Sequence, residues 1–139
     1  GASAAAIIAT TLTGTAATVA VILLAVFALT RLVIGFFPMD APGTPVTATG
    51  RLHNLLAFGA FGSVTAAAFV VAGAIHDAGD PALASASTWL GVVMAVGAVA
   101  LFVTARVERA KRWFGAAERL IYVGFILWFA AIGVAGLVG

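Results

Sequence analysis

Four apolar runs separated by short polar connections take up nearly the whole chain. The first extends from Ile7 to Pro38 with Arg31 as its only charge, the second from His53 to Ile75, the third from Trp89 to Val103 and the fourth from about Leu120 to Val138. A bilayer core of roughly 30 Å takes about 20 apolar residues in helical form. The pattern therefore predicts helices over 8–36, 52–76, 87–105 and 119–138, an all-α polytopic transmembrane bundle of about four helices in one domain over 1–139. The first run exceeds one span, so its helix is expected to tilt or protrude.

The connections carry their own signals. Residues 38–45 hold three prolines and a glycine, which remove donors and fix extended backbone, and so predict a loop. His76, Asp77, Gly79, Asp80 and Pro81 close the second run, and Ser85, Ser87 and Thr88 are candidate N-caps for the third. The stretch 106–119 carries five basic and two acidic residues around Trp113 and Phe114, and predicts a short amphipathic turn on the membrane surface.

Charge adds a direction. Arg31, Arg51, Arg106, Arg109, Lys111, Arg112 and Arg119 fall on one side of the predicted spans, while the opposite connection holds only Asp77 and Asp80. Basic residues near span ends are retained in the cytoplasm. Loops 38–50 and 106–119 are accordingly expected inside a plasma membrane and loop 77–86 outside. Both chain ends then face outward and the chain opens on Gly1 rather than Met, which points to sequence upstream.

Composition narrows the classes. With 63% hydrophobic and 9% charged residues, the chain lies far from the roughly one-quarter charged composition of soluble domains. The basic residues sit in connections without aromatic interleaving, so they orient the protein and do not suggest nucleic acid. There is no cysteine, which excludes disulfides, thiolate metal sites and cysteine nucleophiles. Small residues recur at helical spacing, as at Gly59, Ser63 and Ala67 and at Gly91 and Ala95. Such stripes let helices approach closely where lipid offers no hydrophobic drive, and they predict packing faces. The threonines at 10, 11, 13, 15 and 18 could instead line a polar passage, although such hydroxyls commonly bond the preceding turn.

Candidate chemistry gathers where the first two helices join. Asp40, Arg51 and His53 could converge there, with Asp40 and His53 as a proton relay or two metal ligands and Arg51 on a lipid phosphate. The plainer reading makes them loop architecture, with Asp40 capping or pairing with Arg51 and His53 satisfying backbone. His76 lies 23 residues beyond His53, roughly 35 Å along a helix at 1.5 Å per residue, so the two cannot share an ion. No metal site and no cofactor are expected. Arg31 reads as an interfacial snorkelling residue, and Arg109, Lys111, Arg112 and Trp113 as an anchor for anionic lipids.

The run Phe36-Phe37-Pro38-Met39-Asp40, the Thr/Pro-rich loop, Gly50-Arg51-Leu52-His53-Asn54, and Glu118-Arg119 before the Trp128-containing last helix resemble the domain of unknown function 998 family of small prokaryotic membrane proteins. The resemblance implies a polytopic plasma-membrane protein and no activity. Asp40 and His53 fall on the family's Pro-x-Asp and Arg-Leu-His elements, which marks them as important without assigning a role. Family members commonly have about six helices, so the resemblance also implies two helices upstream or a shorter member.

Three functions compete. An accessory subunit packing against other integral membrane proteins needs no catalytic group and comes first. An intramembrane enzyme acting on lipid through Asp40 and His53 at the inner interface comes second, and a small-molecule or ion carrier third. Nucleotide loops, zincin pairs and nucleophile elbows are all missing from the sequence, which weighs against familiar enzyme classes.

Overall fold

A computed structural model describes residues 14–41 and 43–138. Four helices, α1 (Thr15–Ile34), α2 (Ala48–Asp77), α3 (Pro81–Arg106) and α4 (Phe114–Val138), follow one another, with a short 3-10 helix at Glu108–Trp113 before the last. All four are long and apolar enough to cross a membrane. Residues 8–13 of the first predicted helix, with the threonines at 10, 11 and 13, lie outside the described residues.

The polar ends set helix boundaries that the apolar runs alone misplace. α2 starts at Ala48 rather than 52 because the Thr47 hydroxyl accepts the Gly50 amide at 3.0 Å, a side-chain N-cap. α3 starts at Pro81 rather than 87. Asp80 accepts the Leu83 amide at 2.9 Å, and proline suits the first helical position because its missing N–H would be unpaired there anyway. Ser85, Ser87 and Thr88 are consequently inside α3 and do not cap it, and most of the expected outer loop 77–86 is helical. α4 starts at Phe114 rather than 119 because the 3-10 helix feeds directly into it, with Phe114 already in right-handed helical geometry. α1 ends at Ile34, where 3-10 bonds from Phe36 and Phe37 to Val33 and Ile34 tighten the chain into the loop.

The α2–α3 turn is compact for an identifiable reason. Gly79 takes φ 92°, a left-handed conformation that favours glycine. Its amide bonds the His76 carbonyl at 3.0 Å and the Asp80 amide bonds Ile75 at 3.2 Å, a Schellman closure of α2. Asp80 thus helps end one helix and caps the next.

Neighbouring helices run antiparallel, α1 on α2, α2 on α3 and α3 on α4. The register is visible across α3 and α4: as the chain advances from Ser87 to Met94 to Gly97, the partner recedes from Trp128 to Gly124 to Ile121. Glycines allow the close approach that packing in lipid requires. A Cβ at Gly97 would stand 2.7 Å from Ile121 Cγ1, and one at Gly124 would stand 2.6 Å from Met94 Cγ. Leu24, Val64, Val71, Met94, Ile121 and Trp128 fill the interior, while Leu32, Phe58 and Trp89 lie on the outer surface. That inversion of the water-soluble pattern is what a lipid solvent permits. The α1–α2 and α3–α4 connections, 35–47 and 107–113, fall at one end of the bundle, and every Lys and Arg lies at or near that end.

Candidate functional site

Three polar arrangements stand out, two of them at the basic end. In the α1–α2 turn, Asp40 Oδ2 accepts the Thr47 amide at 2.9 Å and Oδ1 accepts the Thr47 hydroxyl at 2.6 Å. These bonds, the hydroxyl foremost, hold the Asp40 carboxyl below its ordinary range, and the Arg51 charge adds to the effect. Gly50 is buried against this carboxylate, and a Cβ there would land on it. His53 Nδ1 lies 2.7 Å from the Phe37 carbonyl. A carbonyl only accepts, so Nδ1 carries a proton, and in the neutral ring Nε2 is left as the acceptor. Asp40 and His53 therefore each fasten a different part of one turn and share no hydrogen bond. Arg51 is exposed, without an ion pair among the described residues.

The second arrangement crosses from α1 to α4. Arg31 Nη1 donates to the Tyr122 hydroxyl at 3.0 Å, and the guanidinium carbon lies 5.3 Å from the Tyr122 ring centroid. Arg31 is half-buried and reaches across the bundle rather than extending freely along the surface. Phe27 meets Phe125 and Phe129 at 5.4 and 5.7 Å beside it, and Tyr122 packs edge-on against Phe61 at 5.8 Å.

The third lies within the membrane span. Trp128 Nε1 donates to Ser87 Oγ at 2.7 Å, and Ser87 donates to the Ala68 carbonyl at 2.8 Å. Ser63 and Thr104, the other buried polar side chains among the described residues, bond carbonyls in their own helices at 3.0 Å.

The remaining predicted residues separate by place. Arg109, Lys111, Arg112 and Trp113 are exposed on the 3-10 helix, with Lys111 paired to Glu108 at 2.5 Å and Arg112 over Trp113 at 5.6 Å. Gly59 faces Thr30, Ser63 is buried, Gly91 lies under the Phe69 ring, and Ala95 is half-buried. His76 and Asp77 form an exposed pair at 3.7 Å at the opposite end. Among the described residues no three His, Asp or Glu side chains gather as metal ligands would.

Sequence reasoning did not single out Tyr122, Ser87 or Gly50 as members of these arrangements. A signal existed for one of them. A tryptophan in mid-span needs an acceptor for its indole N–H, and in an antiparallel α3–α4 pair Ser87 is placed to supply it. Tyr122 gave no comparable signal, because a tyrosine near a span end reads as an interfacial belt residue.

Fold and polar sites together define a multi-pass α-helical membrane protein in which the Phe36–Asp40 and Gly50–Asn54 motifs build an inter-helix turn. The chain belongs to the family described as protein of unknown function DUF998, whose profile matches residues 1–135. Comparisons with curated proteins and with solved structures return no match.

Proposed function

We propose that this bundle is an accessory membrane subunit that works by packing against other integral membrane proteins. The observation that carries the reading is the engagement of its two leading chemical candidates: Asp40 is bonded to Thr47 and His53 to the Phe37 carbonyl, both within one turn. General acid–base catalysis asks for groups within about 3 Å of a shared proton, and this pair is directed to separate backbone partners. The polar groups inside the bundle likewise serve helix contacts, as Ser87 and Trp128 do. The basic end faces the cytoplasm of a plasma membrane on this reading, with Arg109, Lys111, Arg112 and Trp113 against anionic headgroups.

Gentle detergent extraction of the native protein, followed by size analysis and mass spectrometry, tests the proposal. Partner polypeptides at fixed stoichiometry are expected. Recovery of the chain alone, together with lipid turnover that disappears in Asp40→Ala and His53→Ala, would overturn it in favour of the intramembrane enzyme.

A further inference from the structure

The Arg31–Tyr122 pair leaves a set of donors without acceptors among the described residues. A guanidinium carries five N–H groups, and the hydrogen bond that Arg31 makes among the described residues uses only Nη1, toward Tyr122. The Tyr122 hydroxyl accepts that bond and donates to no other described group. Among the described residues Lys111 pairs with Glu108 and His76 lies 3.7 Å from Asp77, and neither contact involves Arg31. No unpartnered side-chain nitrogen of the half-buried Arg31 is sealed from the exterior, so its unused Nε and Nη2 donors can be reached from outside the protein.

Position decides what could reach them. Arg31 lies one turn before the end of α1 and Tyr122 about two turns into α4, both toward the basic end. That places the pair just beneath the headgroup layer, where an unneutralised charge is costly and a lipid phosphate is the nearest abundant anion. α1 and α4 are not packed along their length as the neighbouring pairs are; they meet through side chains, with Phe27 against Phe125 and Phe129. The seam thus offers a planar fork of donors beside a packed aromatic contact in which Phe27 and Phe125 are buried. A guanidinium fork matches two oxygens of a phosphate. Arg119, one turn before Tyr122 on α4, adds positive charge toward the headgroups.

We propose that the α1–α4 seam is a binding site for one anionic phospholipid, its phosphate held by Arg31 and Tyr122. The site does not depend on the subunit reading, because it uses residues of this chain alone.

Native mass spectrometry of the purified full chain in detergent, titrated with phosphatidylglycerol or phosphatidylcholine of identical acyl chains, tests it. The expected result is one phosphatidylglycerol retained at lower lipid concentration than phosphatidylcholine. Arg31→Ala should raise the half-saturating phosphatidylglycerol concentration by about tenfold or more, since it removes charge-assisted hydrogen bonds, and Tyr122→Phe by a smaller factor. Arg106→Ala, which removes one exposed charge at the same end of the bundle but on α3, should leave that binding unchanged. Equal retention of the two lipids by the wild type would overturn the proposal, and so would equal losses in Arg31→Ala and Arg106→Ala. If Arg31→Ala fails to fold, Arg31→Lys keeps the charge without the fork, and undiminished selectivity in that variant would also sink it.

Discussion

Trp128 donates its indole N–H to the Ser87 hydroxyl at 2.7 Å, and that hydroxyl donates to the Ala68 carbonyl at 2.8 Å, so two hydrogen bonds join α4 to α3 to α2. Both side chains are buried. Ser87→Ala would strand the indole donor in an apolar interior, at a cost of about 1–3 kcal/mol. Removing both groups in Ser87→Ala/Trp128→Phe should cost less than the two single changes combined. Coupling of about 0.6–1.7 kcal/mol is the scale found between hydrogen-bonded side chains in membrane bundles. Unfolding titrations in mixed micelles would measure the cycle, and strict additivity would show that the pair is not coupled.

The α1–α2 turn depends on a missing side chain. Gly50 admits the Asp40 carboxylate to Thr47, and any Cβ there displaces it. Gly50→Ala and Asp40→Ala should therefore loosen the same first turn of α2, and the double variant should be no worse than the poorer single one. Thr47→Ala removes the cap itself and should cost about 0.5–2 kcal/mol. Hydrogen exchange at the Gly50 and Arg51 amides is the readout. Independent, additive acceleration by the Gly50 and Asp40 changes would contradict the shared turn.

The same carboxylate gives the turn a pH dependence of known sign. Bonds from Thr47 hold Asp40 below its ordinary range in the folded protein. A group whose folded pKa is depressed contributes stability above its unfolded pKa and loses it as pH falls toward the folded value. The stability difference between wild type and Asp40→Asn should accordingly be constant near neutrality and shrink on acidification below the ordinary carboxylate range. Thermal unfolding of both proteins across that acidic interval checks it. A difference that grows on acidification would reverse the assignment.

The spans were legible because a lipid solvent demands continuous apolar length, and no other pattern in the chain competes with that signal. Helix starts were less so, since reading apolar runs overlooks polar first turns. Asp80-Pro81 was nevertheless a readable N-terminal signature that the run from Trp89 obscured. The Phe36–Asp40 and Gly50–Asn54 motifs carried the family and drew attention to Asp40 and His53. Their actual bonds were out of reach, because whether Asp40 meets Arg51, His53 or Thr47 depends on how a proline-rich loop folds back. Arg31–Tyr122 and Ser87–Trp128 span 91 and 41 residues and require the bundle's register before either can be stated.

Glycines supply the sharpest test of that register, because identical substitutions should act in opposite directions. Gly97 lies where α3 meets α4: an added Cβ would be 2.7 Å from Ile121 Cγ1, 3.1 Å from the Ile121 amide nitrogen and 3.3 Å from the Ala117 carbonyl oxygen. Two of those three atoms are backbone, so the helices would have to separate, and overpacking of this kind costs about 1–3 kcal/mol. At Gly133, within α4, a Cβ meets no atom of the described residues within 4 Å. Gly133→Ala should then show only the gain in helix propensity, at most about 1 kcal/mol. Unfolding titrations of the two variants would compare them directly. Gly97→Ala as well tolerated as Gly133→Ala would mean that α3 and α4 do not approach in this register, and with it would fall the placement of Ser87 opposite Trp128.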